Sequence, residues 1–320
     1  MTKHLTNEET LRFLRENDNF LILNHRRPDG DAVGSAAALC LGLRGMGKTA
    51  HIWKNPQTTE RYRPFLKDME LETLPEGATI VSVDMATEGL LPLNGAHFQG
   101  EIQLAIDHHP SNDGYAALTR VEPRCAACGE LLLELLRELG PVTKDMAEAL
   151  YLAISTDTGC FQYSNVTENT LRAAGTLKAL GADTYPINKI MFGTKSIARL
   201  RLEAALTEGV RFYAGGKVAV TAITKELQAK VGANEDDIDD ISGFPRGIEG
   251  VEIGVMLRPA QEGGTKISMR TGENYNASDI CAYLGGGGHS AAAGASVSGG
   301  VQEAEKAILH AIAETTGVVL

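Results

Sequence analysis

The chain has no run of apolar residues approaching the ~20 that a membrane-crossing helix needs. Its first residues, MTKHLTNEETLRFLREN, are polar and charged and offer no apolar signal-peptide core. The expectation is a cytoplasmic protein with no membrane partner. Cysteine is scarce. Five occur in 320 residues, and an odd count without a signal peptide argues against a disulfide framework. Cys125 and Cys128 form a lone C-x-x-C with no second ligand pair and no thioredoxin-like context. They read as buried small residues near a helix start. Positive charge is also in deficit: 30 Lys and Arg stand against 41 Asp and Glu, a net charge of −11. An acidic surface repels phosphate backbones, which argues against duplex nucleic acid held by counterion release. A small phosphorylated ligand in a locally positive pocket stays open, and bound divalent cations would invert the charge of an Asp-rich site. No long repeat is found, and the one low-complexity tract is Gly285–Gly288.

What is present is a 43% hydrophobic chain long enough for two domains of roughly 100–200 residues each. Short apolar runs that read as strands lie at Phe20–Asn24, Thr49–Trp53, Thr79–Val83 and Ile102–Ile106. Helical patterns lie at Asp31–Arg44, Ala127–Leu139, Thr143–Ile154 and Glu168–Leu180. Continuous apolar strands alternating with helices predict an α/β domain with a mostly parallel sheet and helices on both faces. Gly181–Ile187 is a turn-rich break, and Asn188–Glu208 reads as one long linking helix. Beyond it, strand candidates at Val218–Ile223, Gly250–Leu257 and Lys266–Arg270 precede helices at Ala277–Leu284 and Val301–Glu314. This predicts a smaller α+β domain, with boundaries at 1–187, 188–209 for the linker, and 210–320.

Acidic residues and histidines gather in four clusters at or after these elements. The first is N-H-R-R-P-D-G-D, with His25, Asp29 and Asp31; the second ends V-S-V-D at Asp84. The third is Asp107-His108-His109, and the fourth, I-S-T-D-T-G, holds Asp157 at the end of an apolar helix. Ligands of an open parallel sheet bind outside the carboxyl ends of its strands, so the first three clusters converge there and Asp157 can join them. Carboxylate oxygens with imidazole nitrogens suit Mn²⁺, and Mg²⁺ or Co²⁺ less specifically. Asp29 and Asp31 are two residues apart, so a turn can aim them at two neighbouring ions, while a lone strand-end Asp84 suits a bridge. Two ions ~3.5–4 Å apart can hold a bridging hydroxide as nucleophile and neutralise a phosphoryl group. Asp107, like Asn24, can instead orient an adjacent His. His4, His51, His97 and His310 read as solvated or hydrogen-bonded side chains.

At these residues the sequence resembles the DHH family of phosphoesterases, in the stand-alone bacterial nanoRNase and pAp-phosphatase (oligoribonuclease-like) branch with its DHH-associated C-terminal domain. The motifs are H-R-R-P-D-G-D-A-V-G-S at His25–Ser35, V-S-V-D-M-A at Val81–Ala86, I-D-H-H-P-S at Ile106–Ser111 and T-D-T-G-C-F at Thr156–Phe161. I-S-M-R at Ile267–Arg270 and G-G-G-G-H-S-A-A-A-G at Gly285–Gly294 complete the set. The resemblance implies His25 and Asp29 on one ion, Asp31, His108 and Asp157 on the other, Asp84 between them, and His109 facing the substrate phosphate. It further implies a manganese preference, a homodimer, and phosphate removal from very short oligoribonucleotides such as pApA or from the bisphosphate pAp. The C-terminal domain then grips substrate. Gly286, Gly287 and Gly288 are expected to form an anion-binding nest, His289 to donate to a phosphate, and Arg270 to clamp one. Phe244 and Arg246 add stacking and charge near the base. Ser290 stands where family members often carry Lys, and Thr271 where Ser is common. The alternatives are a cyclic-di-AMP phosphodiesterase on the same scaffold and, in another class, a non-catalytic nucleotide-binding regulator. The latter requires a lost ligand, and all six ligand positions are present.

Overall fold

The computed structural model describes residues 2–319, apart from 239–240 and 261–262. The chain divides into two compact units, Met1–Thr194 and Lys195–Leu320. The first is built on seven strands: β1 (Lys3–His4), β2 (Phe20–Leu23), β3 (Ala50–Trp53), β4 (Glu70–Leu71), β5 (Thr79–Val83), β6 (Leu104–Asp107) and β7 (Leu118–Val121). Their order is β1-β7-β6-β5-β2-β3-β4, and every neighbouring pair is parallel. From β2 the chain steps to β3 and β4 on one side, then returns through β5 to β6 and β7 on the other. The β2/β5 boundary is therefore the topological switch point, where diverging connections open a crevice at the carboxyl ends of the strands.

β2, β5 and β6 are buried at every residue, which is why they read as unbroken apolar runs rather than alternating ones. Phe20, Ile22, Val81, Val83, Leu104 and Ile106 face α1 (Asn7–Glu16), α2 (Gly30–Gly45), α3 (Cys128–Leu139), α4 (Lys144–Asp157) and α5 (Glu168–Ala179). Leu21, Leu23, Ile80 and Ala105 face the other way, under the short 3-10 turns Glu88–Leu90 and Ala96–Phe98. Both faces are thus covered, but these five α-helices, and α6 (Thr184–Asn188) with them, lie on one. A bare glycine seam joins α2 to α4: a Cβ on Gly34 would lie 2.3 Å from the Ala149 carbonyl, and one on Gly30 would lie 2.4 Å from Thr156 Oγ1.

The single helix expected over Asn188–Glu208 is not formed. α6 (Thr184–Asn188) runs into one π turn, Lys189–Gly193, and the chain breaks before α7 (Ile197–Glu208). Ser196 starts α7 afresh by accepting from the Arg199 N–H at 2.8 Å. α7 packs Leu202 and Leu206 into the second unit's core, so it is an integral helix there.

The second unit holds β8 (Arg211–Tyr213), β9 (Val218–Ala222), β10 (Ile253–Pro259), β11 (Thr265–Thr271), β12 (Gly287–Gly288) and β13 (Ala292–Val297), in the order β12-β13-β11-β10-β9-β8. β9 and β10 are parallel and the other pairs antiparallel. α10 (Ala277–Ala282) and α11 (Val301–Thr316) cover one face. α7, α8 (Lys225–Val231), α9 (Glu235–Ile238) and the 3-10 segment Ile241–Gly247 cover the other.

Candidate metal centre

The switch-point crevice gathers the acidic and imidazole side chains of four segments. His25 follows β2, Asp29 caps α2 and Asp31 lies in its first turn, Asp84 follows β5, Asp107 ends β6, and Asp157 ends α4. The α2–α4 glycine seam brings the start of one helix against the end of the other, which sets Asp31 and Asp157 around one imidazole. His108 Nε2 lies 3.8 Å from Asp31 Oδ2 and 3.6 Å from Asp157 Oδ2. A second set is His25 Nε2, 3.8 Å from Asp29 Oδ1 and 3.8 Å from Asp84 Oδ2. Asp84 spans the two sets, for its other oxygen, Oδ1, lies 3.5 Å from His108 Nε2. These separations exceed a hydrogen bond. They approach the ~3.0–3.4 Å between two atoms that share an ion at about 2.0–2.1 Å.

Asp84 carries the clearest mark of a cation site. It is 3% exposed, its Oδ1 is buried with no hydrogen-bond partner, and its backbone is left-handed at φ 53°. A non-glycine residue in that region is strained, and such strain collects at functional sites. Burial pushes its carboxyl well above the usual range, and the charges of Asp31, Asp29, Asp107 and Asp157 push it further. Asp157 is likewise raised well up by burial and by Asp31 and Asp29. Asp31 is raised by burial, against the pull of His108. Buried carboxylates crowded this way need cations or protons. The donor set is all oxygen and nitrogen. Burial pushes the Cys125 thiol to about 12 and the Cys128 thiol well up, so neither is a ready thiolate ligand. The residues fit divalent ions.

The imidazole tautomers are set by their other nitrogens. Nδ1 of His25 pairs with the Arg26 carbonyl at 2.9 Å, and Nδ1 of His108 with the Cys125 carbonyl at 3.2 Å. Each Nε2 is then the ring nitrogen turned to the carboxylates. Asn24 does not orient His25; its Oδ1 accepts from Asn55, which also donates to the His25 carbonyl.

Asp107 stands apart from the ion-facing carboxylates. Its Oδ1 accepts from His109 Nδ1 at 2.8 Å and from the His108 N–H at 2.8 Å, while Oδ2 accepts from Asn112 at 2.7 Å. Burial alone would raise its carboxyl, but His109 and Asn112 outweigh burial and lower it. It is a satisfied carboxylate that holds the His109 ring.

The second unit departs further from expectation. The Gly285 and Gly286 N–H groups close α10 on the Ala282 and Cys281 carbonyls, at 2.9 Å each, and are spent there. Gly287 and Gly288 form the edge strand β12 against β13. The run is glycine because a Cβ on Gly286 would lie 2.1 Å from the Gly294 carbonyl. Of the expected nest the Gly286 N–H is therefore already taken, and the run is no flexible linker. Phe244 is half-buried, packed against the α7–α8 core. His289 is exposed beside β12. Arg270 lies part-buried, donating to Ser242 Oγ at 3.1 Å and to the Met269 carbonyl at 3.0 Å. Arg246 crosses the same face of the sheet, its backbone against Gly254, the β10 residue opposite Arg270.

Comparison with known proteins agrees with this architecture. Residues 19–154 match the family model described as DHH family, N-terminal domain, and residues 215–317 match the DHHA1 domain. The chain is 34% identical over 92% of its length to a bifunctional oligoribonuclease and PAP phosphatase NrnA of Thermus thermophilus, covering 89% of that protein. It is 26% identical over 93% of its length to the cyclic-di-AMP phosphodiesterase PdeA of Listeria monocytogenes, but spans only 48% of that longer protein. A crystal structure of an exopolyphosphatase-related protein from Bacteroides fragilis superposes with a TM-score of 0.85 at 25% identity, covering 97% of this chain and 96% of that one. Among the described residues no helix is long and apolar enough to cross a membrane. The chain belongs to the DHH family of phosphoesterases, enzymes that hydrolyse phosphoester bonds.

Proposed function

We propose that this chain is a two-metal phosphoesterase acting on very short oligoribonucleotides and on 3′-phosphoadenosine 5′-phosphate. One observation carries the two-metal reading: the oxygens of Asp84 turn to different histidines, Oδ2 to His25 and Oδ1 to His108. His25 and Asp29 would hold one ion, and Asp31, His108 and Asp157 the other. Bound there, divalent ions, Mn²⁺ first among them, would supply an activated water and neutralise phosphoryl charge. The substrate class is supported by the name and the near full-length match of the Thermus relative.

The chain's own residues have separable tasks. Asp107 fixes Nδ1 of His109, which aims the opposite edge of the ring at the phosphate that enters the crevice. Asp84, Asp31 and Asp157 supply negative charge, and cations held there would turn a crevice that repels a phosphate into one that attracts it. Arg270 and His289 supply donors for a distal phosphate. The test is Asp84→Ala with pApA and pAp as substrates and added Mn²⁺. Hydrolysis is expected to fall to background; hydrolysis at the wild-type rate would sink the two-metal reading.

A further inference from the structure

The two ligand sets are not supported alike. One short segment, Cys125–Gly129, meets His108 and Asp31 through its backbone and is tied to Asp157 through Asn165. The Cys125 carbonyl pairs with His108 Nδ1 at 3.2 Å. The Cys128 N–H donates to Asp31 Oδ2 at 2.6 Å, and the Gly129 N–H to Asp31 Oδ1 at 3.0 Å. These two N–H groups open α3, whose N-cap, Ala127, has no side chain that can accept. The Asp31 carboxylate of α2 does that work from across the packing. Asn165 closes the ring, its Nδ2 donating to the Ala126 carbonyl at 3.2 Å and to the Asp157 carbonyl at 3.1 Å. The other set has none of these ties. His25 leans on Arg26 and, through its carbonyl, on Asn55, and Asp29 on the N–H groups of Asp31 and Ala32.

Something must hold the segment itself, and a buried carboxylate does. Glu130 is 5% exposed. Its Oε2 accepts from the Ala126 N–H at 3.1 Å and from Thr170 Oγ1 of α5 at 3.0 Å. Thr170 is fully buried and pinned in turn by the Thr167 capping box. A buried carboxylate without a cation is retained where its hydrogen bonds order something, and here they order the turn that positions three ligands.

We propose that Glu130, with Thr170 and Asn165, is a positioning device for the Asp31–His108–Asp157 ion alone. The proposal rests on the two-ion reading above. It makes the two sites unequal, with one ion tuned from α3 and α5 and the other held by the β2–α2 turn.

The test is calorimetric Mn²⁺ titration of the metal-stripped chain, with unfolding temperature in chelator as a separate readout. Wild type is expected to show two binding steps. Glu130→Ala should weaken one step roughly 10–100-fold and leave the other unchanged, the range typical for a lost outer-shell partner. Asn165→Ala, on an exposed bend, should weaken the same step by less. Glu130→Gln keeps an acceptor oxygen and should recover most of the lost affinity. Both steps weakening together, or neither, would overturn the device. A wild-type chain with no Mn²⁺ step would overturn the two-ion reading itself. If Glu130→Ala does not fold, Asn165→Ala decides, and unchanged affinity at both steps refutes the proposal.

Discussion

Gly34→Ala tests how far the metal centre depends on the helix seam beneath it. Residue 34 faces α4, and an added Cβ would lie 2.3 Å from the Ala149 carbonyl oxygen and 2.9 Å from the Ala153 nitrogen. Both are backbone atoms, which cannot swing aside. Restoring ordinary contact requires α2 and α4 to part by about 1 Å. Overpacking of this kind costs about 1–3 kcal/mol. For the first unit, at 2–4 °C per kcal/mol, that is a fall of about 2–12 °C in unfolding temperature. The same movement separates Asp31 on α2 from Asp157 on α4. A 1 Å misplacement of reacting groups can cost on the order of 100-fold in rate. The assays are thermal unfolding in chelator and steady-state hydrolysis of pApA. Gly45→Ala on the same helix is the control, since nothing lies within 4 Å of its added Cβ. It should match wild type or gain up to ~1 kcal/mol. Wild-type stability and rate in Gly34→Ala would refute the claim that the bare seam sets the site.

Further outcomes follow from the same geometry. Asp107→Asn should keep Mn²⁺ affinity but lower kcat on the order of 100-fold, because the carboxylate that fixes His109 is weakened to an amide; loss of metal affinity instead would place Asp107 among the ligands. The metal-free chain should lose stability as pH rises from about 5 to 8. Asp84, Asp157 and Asp31 are held above the unfolded carboxylate value by burial and by one another, so the folded state keeps extra protons and loses this stabilisation as pH rises through those raised values. His25 is raised by Asp29 despite burial and acts in the same direction. Chemical denaturation at both pH values in chelator reads the slope, and a rise in stability with pH contradicts it. Gly286→Ala, aimed at the Gly294 carbonyl, should lower the second unit's stability by about 1–3 kcal/mol and raise KM while leaving Mn²⁺ binding unchanged.

The ligand clusters were legible in the sequence because each sits at the end of an element whose pattern is strong. FLIL, TIVSV and LAID are buried on both faces, so their boundaries mark where His25, Asp84 and Asp107 emerge. β13 was not legible. Its Ala- and Gly-rich run lacks the β-branched and aromatic residues that announce a strand, and it is one through its antiparallel pairing with β11. β1 is two residues long and is defined only by its partner β7. The break before α7 was hidden because Ser196 reads as a tolerable helix residue until its hydroxyl is seen capping. The C-x-x-C lies at a helix start as expected, with Cys128 buried and Cys125 half-buried. Its use was invisible, since Cys125 and Cys128 act on the ligands through backbone atoms. Glu130 and Asn165 left no signal because their side chains grip backbone groups around the ligands rather than the ligand atoms.

The central claim is that Asp84 joins two ions in one centre. Electron paramagnetic resonance of the chain loaded with two equivalents of Mn²⁺ tests it most directly. An exchange-coupled Mn²⁺ pair is predicted for wild type, replaced in Asp84→Asn by weakly held, uncoupled ions. Isolated Mn²⁺ signals in wild type, or an undiminished coupled pair in Asp84→Asn, would contradict the account.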